Sequence, residues 1–284
     1  MRPIASTADF LQRTKWYSVR RGRRWLRRPD PSLRPPTCRW TTSNASCERG
    51  AGKVPRLFVT GTDTGVGKTR IATALCLAFA AAGKRVAAMK PVASGCTATP
   101  DGLRNDDAMA LQGAMNVRAS YAEVNPYAFE PAIAPHIAAL EAGRSIDFAV
   151  LDRCFERLAL QSDATIIEGA GGWLAPLDTE LTFADLAVRW QLDVILVVGL
   201  RLGCLNHALL TAESIERRGL RLCGWIGNSV DPVFERREEN LAALGTRIAA
   251  PCIGTYPYSP ASGARDVAKS LAAALADLEP INAR

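Results

Sequence analysis

From residue 54 onward, short apolar runs alternate with longer segments in which apolar residues recur at helical spacing. The apolar runs predict strands at residues 56–60, 86–90, 164–168, 194–198, 222–228 and 252–256. The intervening segments predict helices at residues 68–82, 106–112, 135–141, 147–161, 183–190, 204–217, 233–244 and 266–278. Strands that are apolar throughout are expected to be covered on both faces. The alternation therefore predicts an α/β fold with a parallel sheet and helices on both faces, in a single domain of residues 54–284.

Residues 1–53 show neither helix nor strand periodicity, and they carry the positive charge of the chain. They contain 13 Lys and Arg against 3 Asp and Glu, a net charge of +10, so the remaining residues carry −3 of the formal total of +7. Because the basic character does not belong to the predicted domain, it does not indicate a nucleic-acid partner.

Residues 1–53 are expected to be a disordered extension, since they combine an arginine cluster with a Pro-rich and then a Ser/Thr-rich stretch. A twin-arginine export signal would need an apolar stretch after the arginines, and none follows. An organellar transit peptide agrees with the Arg-rich, acid-poor composition. The interpretation that we favour is an over-extended gene start, with the functional protein beginning near Val54.

The eight cysteines have irregular spacing without a CxxC pair, and there are only two histidines, so no zinc site is predicted. Several cysteines lie in apolar runs, where a free thiol packs as a small hydrophobic group. This usage favours a reducing, cytoplasmic location. No apolar run reaches the roughly 18 residues that cross a bilayer, so no membrane partner is expected.

One stretch has the order strand, glycine-rich loop and helix that a phosphate-binding loop requires. Residues 57–60 are apolar, residues 61–67 contain three glycines, and Lys68 begins a helical segment. Loop N–H groups and the helix N-terminus attract phosphate. Lys68 would neutralise the β- and γ-phosphates, and Thr69 would bind Mg²⁺. The general pattern GxxxxGK[ST] is not met, because its first glycine falls at Thr62, one residue after Gly61.

Several motifs together resemble the dethiobiotin synthetase family over residues 54–260. They are Gly61-Thr-Asp-Thr-Gly-Val-Gly-Lys-Thr69, Lys90-Pro-Val-Ala-Ser-Gly95, Gly102-Leu-Arg-Asn105 with Asp107, Val124-Asn-Pro-Tyr127, Glu168-Gly-Ala-Gly-Gly-Trp173 and Gly203-Cys-Leu-Asn-His207, in the family's order. The resemblance implies an ATP-dependent cyclo-ligase of biotin biosynthesis. Its substrates would be 7,8-diaminononanoate, CO₂ and ATP, and its products dethiobiotin, ADP and phosphate.

The resemblance also implies the chemistry of the site. Lys90 and Lys68 would be the catalytic cations, because the carbamate formed from one substrate amine and the γ-phosphate are both anions. Thr64 and Ser94 would contact the diamine. The implied magnesium ligands are Thr69, Asp107 and Glu168, since Mg²⁺ prefers oxygen. Sequence chemistry alone leaves Asp106 as an alternative to Asp107, although Asp106 is the better candidate for capping the following helix.

For ATP, the resemblance implies contacts from sixteen residues: Gly65, Val66, Gly67, Lys68, Thr69, Arg70, Asp107, Glu168, Gly169, Ala170, Gly171, Asn228, Ser229, Pro257, Tyr258 and Ser259. Two positions depart from the family. Ser229 replaces a frequent Asp, and Ala264 replaces an acid, so we expect the contact from that acid to be lost. The family also implies a homodimer in which Gly203, Cys204, Leu205 and Asn206 reach the substrate of the neighbouring subunit.

Two other functions use related ATP chemistry. A partition or positioning ATPase normally has a second lysine five residues before the loop lysine, where this chain has Asp63. A cobyrinate-type amide ligase usually carries a glutaminase domain, for which the sequence after the ATPase unit leaves no room. Both remain alternatives to the dethiobiotin synthetase reading.

Overall fold

The computed structural model describes residues 55–259 and 263–278, with side chains as far as residue 272. In chain order, these residues form β1 (Arg56–Gly61), α1 (Lys68–Ala81), β2 (Val86–Met89), β3 (Val92–Ala93), β4 (Thr97–Thr99), β5 (Gly102–Arg104), α2 (Asp106–Ala114), α3 (Tyr121–Val124), β6 (Tyr127–Ala128), α4 (Pro135–Glu141), α5 (Phe148–Leu160), β7 (Ala164–Glu168), α6 (Phe183–Arg189), β8 (Asp193–Leu200), α7 (Cys204–Arg217), β9 (Leu222–Ser229), α8 (Arg237–Arg247), β10 (Cys252–Tyr256) and α9 (Ala264–Leu278).

The predicted central sheet is confirmed. Its six strands are all parallel and lie in the order β10-β9-β8-β1-β7-β2. All six are strands that the apolar runs predict, and the more central ones are buried along almost their whole length. The sequence therefore locates every strand of the main sheet.

Helices cover both faces of this sheet. Neighbouring residues of each strand point to opposite faces, so strands that are apolar throughout present apolar side chains on both faces for the helices to cover. On β1, Phe58 packs into the layer that contains α4, α5, α6 and α7, whereas Val59 packs into the layer with α1, α2 and α9. Phe58 is fully buried against Trp173 and Phe183, with ring centroids 6.0 and 6.5 Å away. Truncating a phenylalanine in such a core to alanine costs about 3–5 kcal/mol.

Four short strands and one short helix were not predicted. β3 pairs with β6 and β4 pairs with β5, in two small sheets beside the main one. Each of these strands has two or three residues, too few to produce a periodic pattern. α3 is a single turn that Ser120 and Glu123 close with a capping box.

The predicted start of α8 was wrong. The helix begins at Arg237 and not at Val233, and it continues to Arg247. Residues 231–236 form turns in which the Asp231 carboxylate accepts a hydrogen bond from the Val233 N–H, and Arg236 has a φ of 57°. Because Asp-Pro initiates turns, Asp231 and Pro232 delay the helix.

Within residues 55–259 and 263–278, none of the helices is long and apolar enough to cross a membrane. The extension predicted at residues 1–53 lies outside the described residues.

Candidate active site

A cavity of about 750 Å³ opens at the carboxyl ends of β1, β2 and β7, where open α/β sheets bind their ligands. Eleven residues predicted for the site line it: Thr64, Gly65, Gly67, Lys68, Thr69, Lys90, Ser94, Asp107, Glu168, Ala170 and Gly171. Residues from four separate sequence motifs therefore meet in one place.

The predicted phosphate loop connects β1 to α1. Gly67 caps the helix with a φ of 91°, and a Cβ there would lie 2.4 Å from Nδ2 of Asn228, so only glycine fits. The Lys68 ammonium donates a hydrogen bond to the Asp63 carbonyl oxygen over 2.9 Å. Thr64, Gly65, Gly67 and the start of α1 line the cavity, and the N-terminus of a helix attracts phosphate.

The departure from the general loop pattern has a structural reason. Val66 is buried between Gly61 and Gly199, where added Cβ atoms would lie 2.5 and 2.6 Å from its methyl groups. Thr62, at the usual glycine position, forms two hydrogen bonds with β8. Its N–H donates to the Val197 carbonyl over 3.0 Å, and its hydroxyl accepts from the Gly199 N–H over 3.2 Å. Glycine is thus required at position 61 and not at position 62.

Lys90 lies at the centre of a buried ionic cluster. Met89 pairs with Ile167, so the next residues along β2 and β7, Lys90 and Glu168, lie side by side. The Lys90 ammonium donates to Glu168 Oε1 over 2.6 Å and to Asp107 Oδ2 over 2.9 Å. The Thr69 hydroxyl donates to the same Glu168 oxygen over 2.8 Å.

Lys90 and Asp107 favour each other's charged forms. Burial lowers the pKa of Lys90, but Glu168 and Asp107 outweigh burial and raise it above its usual value. Burial also disfavours the Asp107 carboxylate, but Lys90 outweighs this and lowers the pKa of Asp107. For Lys68, burial and then repulsion by Lys90 lower the pKa to about 8. The two lysines thus form a cationic pair that an anion would stabilise.

The oxygens of the cluster fit a divalent cation. Glu168 is fully buried, and its Oε2 has no hydrogen-bond partner, although a buried carboxylate oxygen normally has one. Thr69 Oγ1 and Asp107 lie beside it, and hydroxyl and carboxylate oxygens are the donors that Mg²⁺ prefers. The described residues contain no group of three or more His, Cys, Asp or Glu side chains that could hold a metal ion by themselves. Phosphate oxygens and water would therefore complete the coordination.

The structure distinguishes the two adjacent aspartates. Asp107 faces the cavity and binds Lys90, whereas Asp106 is exposed. The expectation that Asp106 caps α2 was wrong. Asn105 is the N-cap, and its side chain accepts from the Ala108 N–H over 3.2 Å, while Asp106 is the first helical residue.

Sequence reasoning did not assign Asn105 to the site, although it lines the cavity. Its Nδ2 donates to the Ser94 carbonyl over 3.3 Å and so fixes the loop that carries the Ser94 hydroxyl. An asparagine immediately before a helix was the available signal. The apolar wall was also missed, because its residues lie in loops or at the ends of short elements, where no periodic pattern marks them: Ala93, Ala132, Ile133, Ala134, Pro135, Ala175 and Pro176.

The other residues predicted to bind ATP do not line this cavity. The Val66 side chain is buried, Arg70 lies on α1 over the Tyr256 ring, and Gly169 packs against Phe58.

Asn228 reaches the loop, because its Nδ2 donates to the Val66 carbonyl over 2.9 Å, and its buried Oδ1 has no partner. Ser229 is the next residue along β9, and its hydroxyl accepts a hydrogen bond from Arg237 Nε over 3.0 Å. Pro257, Tyr258 and Ser259 follow β10, and Pro257 and Tyr258 are exposed.

The segment predicted to contact substrate across a dimer forms the start of α7. Gly203 and Asn206 are exposed, Cys204 is buried in the core, and Leu205 packs against it. None of the four lines the cavity.

Comparisons with known proteins agree on the family. A family model described as an AAA domain matches residues 55–265. The ATP-dependent dethiobiotin synthetase BioD of Pseudomonas paraeruginosa is 53% identical over 229 residues, which cover 80% of this chain and 98% of that protein. The Xanthomonas campestris protein of the same name is 49% identical over 217 residues, 76% of this chain and 97% of that protein.

Solved structures support the predicted P-loop NTPase-type fold. The cell division ATPase MinD of Pyrococcus furiosus is 18% identical with a TM-score of 0.51, over 80% of this chain and 100% of that one. A chain of the MinC:MinD cell division protein complex of Aquifex aeolicus is 16% identical with a TM-score of 0.51, over 78% of this chain and 96% of that one. Identity this low shows the fold alone. The sequence identity to the synthetases is about 50% and extends over most of the chain. The chain therefore belongs to the ATP-dependent dethiobiotin synthetase family.

Proposed function

We propose that this chain is an ATP- and Mg²⁺-dependent dethiobiotin synthetase. One amine of 7,8-diaminononanoate captures CO₂ and releases a proton to form a carbamate. A carbamate oxygen attacks the γ-phosphorus, and ADP leaves. The second amine attacks the carbonyl carbon of the resulting mixed anhydride, loses a proton and expels inorganic phosphate, which closes the ureido ring of dethiobiotin.

The observation that carries this proposal is the buried ammonium of Lys90 beside Lys68 in one cavity. Lys90 is 3% exposed and Lys68 is 7% exposed, and each raises the cost of charging the other. Such a pair is stabilised when anions enter between the two groups. The reaction brings together a carbamate and a triphosphate, so fixed positive charge and positioning supply most of the catalysis.

The predicted site residues that line the cavity have roles in this scheme. The backbone of residues 65–69 binds the phosphates, and Lys68 moves from the Asp63 carbonyl to the β- and γ-phosphate oxygens. Lys90 holds the carbamate against the γ-phosphate, and the Thr64 and Ser94 hydroxyls orient the diamine. Thr69, Asp107 and Glu168 would hold Mg²⁺, which when bound neutralises phosphate charge.

For the rest of the nucleotide, we propose that residues 169–171 approach the phosphates and that Val66 and Arg70 complete the loop and the first turn of α1. Asn228 would bind the base, because its buried Oδ1 is still without a donor. Ser229 and residues 257–259 would flank the base. Ala264 lacks the acid that the family places there, so selectivity for adenine would rest on fewer polar contacts.

We further propose a cytoplasmic homodimer whose catalytic domain is residues 54–284. Leu174, Leu202 and Leu210 are 51%, 91% and 57% exposed, which leaves an apolar surface beside the start of α7. Association through this surface would bring residues 203–206 to the diamine of the partner subunit.

Phosphate release from MgATP and bicarbonate, with and without 7,8-diaminononanoate, tests the function. We expect diamine-dependent phosphate release with an equal amount of dethiobiotin by mass spectrometry. Lys90→Met should reduce the rate at least about 100-fold, because a buried charge that stabilises the transition state is lost. Lys84→Met removes an exposed lysine far from the cavity and is the control. Phosphate release that does not depend on the diamine would show that the diamine is not the substrate, and it would favour a partition-type ATPase.

A further inference from the structure

Asp63 connects the phosphate loop to residues outside it. Its Oδ1 accepts a hydrogen bond from the Thr64 N–H over 2.7 Å, and its Oδ2 forms an ion pair with Arg201. Its carbonyl oxygen accepts from the Lys68 ammonium over 2.9 Å. One residue thus contacts Thr64 and Lys68, which both line the cavity, and Arg201, which does not.

Arg201 follows β8 directly, at the edge of the sheet that already holds the first half of the loop. The Thr62 N–H and hydroxyl bond β8, and Val66 packs against Gly199. The loop tip, residues 63–65, forms no backbone hydrogen bond to a strand within the described part of the chain. The Asp63–Arg201 pair provides the attachment there.

The pair is too exposed to serve mainly as a stabilising contact. The Arg201 and Asp63 side chains are 44% and 45% exposed, and exposed ion pairs contribute little to global stability. Its geometric effect is larger. With Arg201 on one carboxylate oxygen, the other oxygen is directed at the Thr64 N–H, which fixes the peptide that precedes the Thr64 side chain.

We propose that Arg201 is a positioning residue of the synthetase reaction. Through Asp63 it holds the loop tip so that the Thr64 hydroxyl keeps its place in the cavity. The inference rests on the proposed function, because that function assigns the Thr64 hydroxyl to the diamine. Gly61 packs against Val66 and Gly67 against Asn228, and neither contact involves the pair, so the pair affects turnover more than ATP binding.

The test compares Arg201→Met, Arg201→Lys and Asp63→Asn, with Arg85→Met as a matched control. Arg85 forms an exposed ion pair with Asp163 at the opposite end of the sheet. We expect Arg201→Met to lower kcat about tenfold, since displacements of an ångström are costly in catalysis. The KM for ATP should change less than threefold, and Tm should change no more than in the control.

Two further comparisons separate positioning from a general structural effect. Arg201→Lys should restore at least a third of wild-type kcat, because it keeps the charge. Asp63→Asn combined with Arg201→Met should be no slower than the worse single variant, since the two groups act as a unit. Kinetics of Arg201→Met that match Arg85→Met, failure of the lysine variant to recover, or additive effects in the double variant would each overturn the proposal.

Amide exchange of Thr64 gives a readout that does not depend on turnover. Release of the Asp63 carboxylate should accelerate exchange of the Thr64 N–H at least fivefold in Arg201→Met and leave it unchanged in Arg85→Met. If the wild-type protein formed no dethiobiotin, the proposed function would fail, and this exchange would still decide whether Arg201 positions the loop tip. Unchanged exchange would refute the positioning role whatever the activity.

Discussion

Lys90→Met separates what Lys90 does for the fold from what it does for the reaction. Its ammonium is the cation nearest to Glu168, whose side chain is fully buried and already has one unbonded oxygen. Removing one partner of a buried ion pair costs about 3–5 kcal/mol. We expect a value near the lower limit, about 3 kcal/mol, because the Thr69 hydroxyl still donates to Glu168 and Asp107 is partly exposed to water.

For a domain of this size, a loss of about 3 kcal/mol corresponds to a Tm lower by about 6–12 °C. The second variant, Lys90→Met with Glu168→Gln, removes both charges and keeps an oxygen for the Thr69 hydroxyl. It should recover at least half of the lost free energy of unfolding. Neither variant should exceed about one hundredth of wild-type turnover, because the catalytic cation is absent from both.

The assay is urea unfolding of the nucleotide-free protein at pH 7.5, followed by circular dichroism and by tryptophan fluorescence to confirm one transition. Lys84→Met should lie within about 0.5 kcal/mol of wild type, as surface changes normally do. If Lys90→Met were as stable as wild type, or if adding Glu168→Gln destabilised it further, the account of Glu168 as a buried carboxylate that depends on Lys90 would be refuted.

Gly67→Ala should abolish binding of a fluorescent ATP analogue, because its Cβ would lie 2.4 Å from Asn228. Gly83→Ala is the control and should bind normally, because Gly83 also has a positive φ but its Cβ would meet no atom within 4 Å. Retained binding in Gly67→Ala would contradict this geometry. The thiols of Cys76 and Cys223 should resist iodoacetamide at pH 8 in the native protein, because burial raises their pKa, in the case of Cys223 to about 12. Mass spectrometry of the labelled peptides tests this, and labelling as fast as in urea would show that burial does not protect them.

The sequence was sufficient for the main sheet and its helices because each of these elements buries a long apolar pattern. It failed where geometry depends on a single contact. The turn at Asp231 delayed α8, and Asn105 took the capping position expected for Asp106. Both errors concern a side chain that bonds the backbone, and several residues in each region were chemically able to do so.

Within the site, the resemblance directed attention to Lys90, Asp107 and Glu168, and the structure brings all three into contact. Residue spacing could not have shown this, because the three belong to separate parts of the chain that meet only when β2 and β7 pair. The ion pair of Asp63 with Arg201 was hidden for the same reason. Each residue is unremarkable in its own segment, and only the fold makes them neighbours.

The position of β1 affects how the chain can fold during synthesis. β1 is made first among the described strands, yet it lies inside the sheet, and its partners are β7 and β8, with Arg56 opposite Thr165 and Leu57 opposite Asp193. An emerging chain must therefore keep an unpaired apolar strand in water until about half of residues 54–284 have been translated. Non-local pairing of this kind slows folding and exposes strand edges to other chains. Production of this enzyme should consequently depend on temperature and on chaperone capacity more than its final stability would indicate.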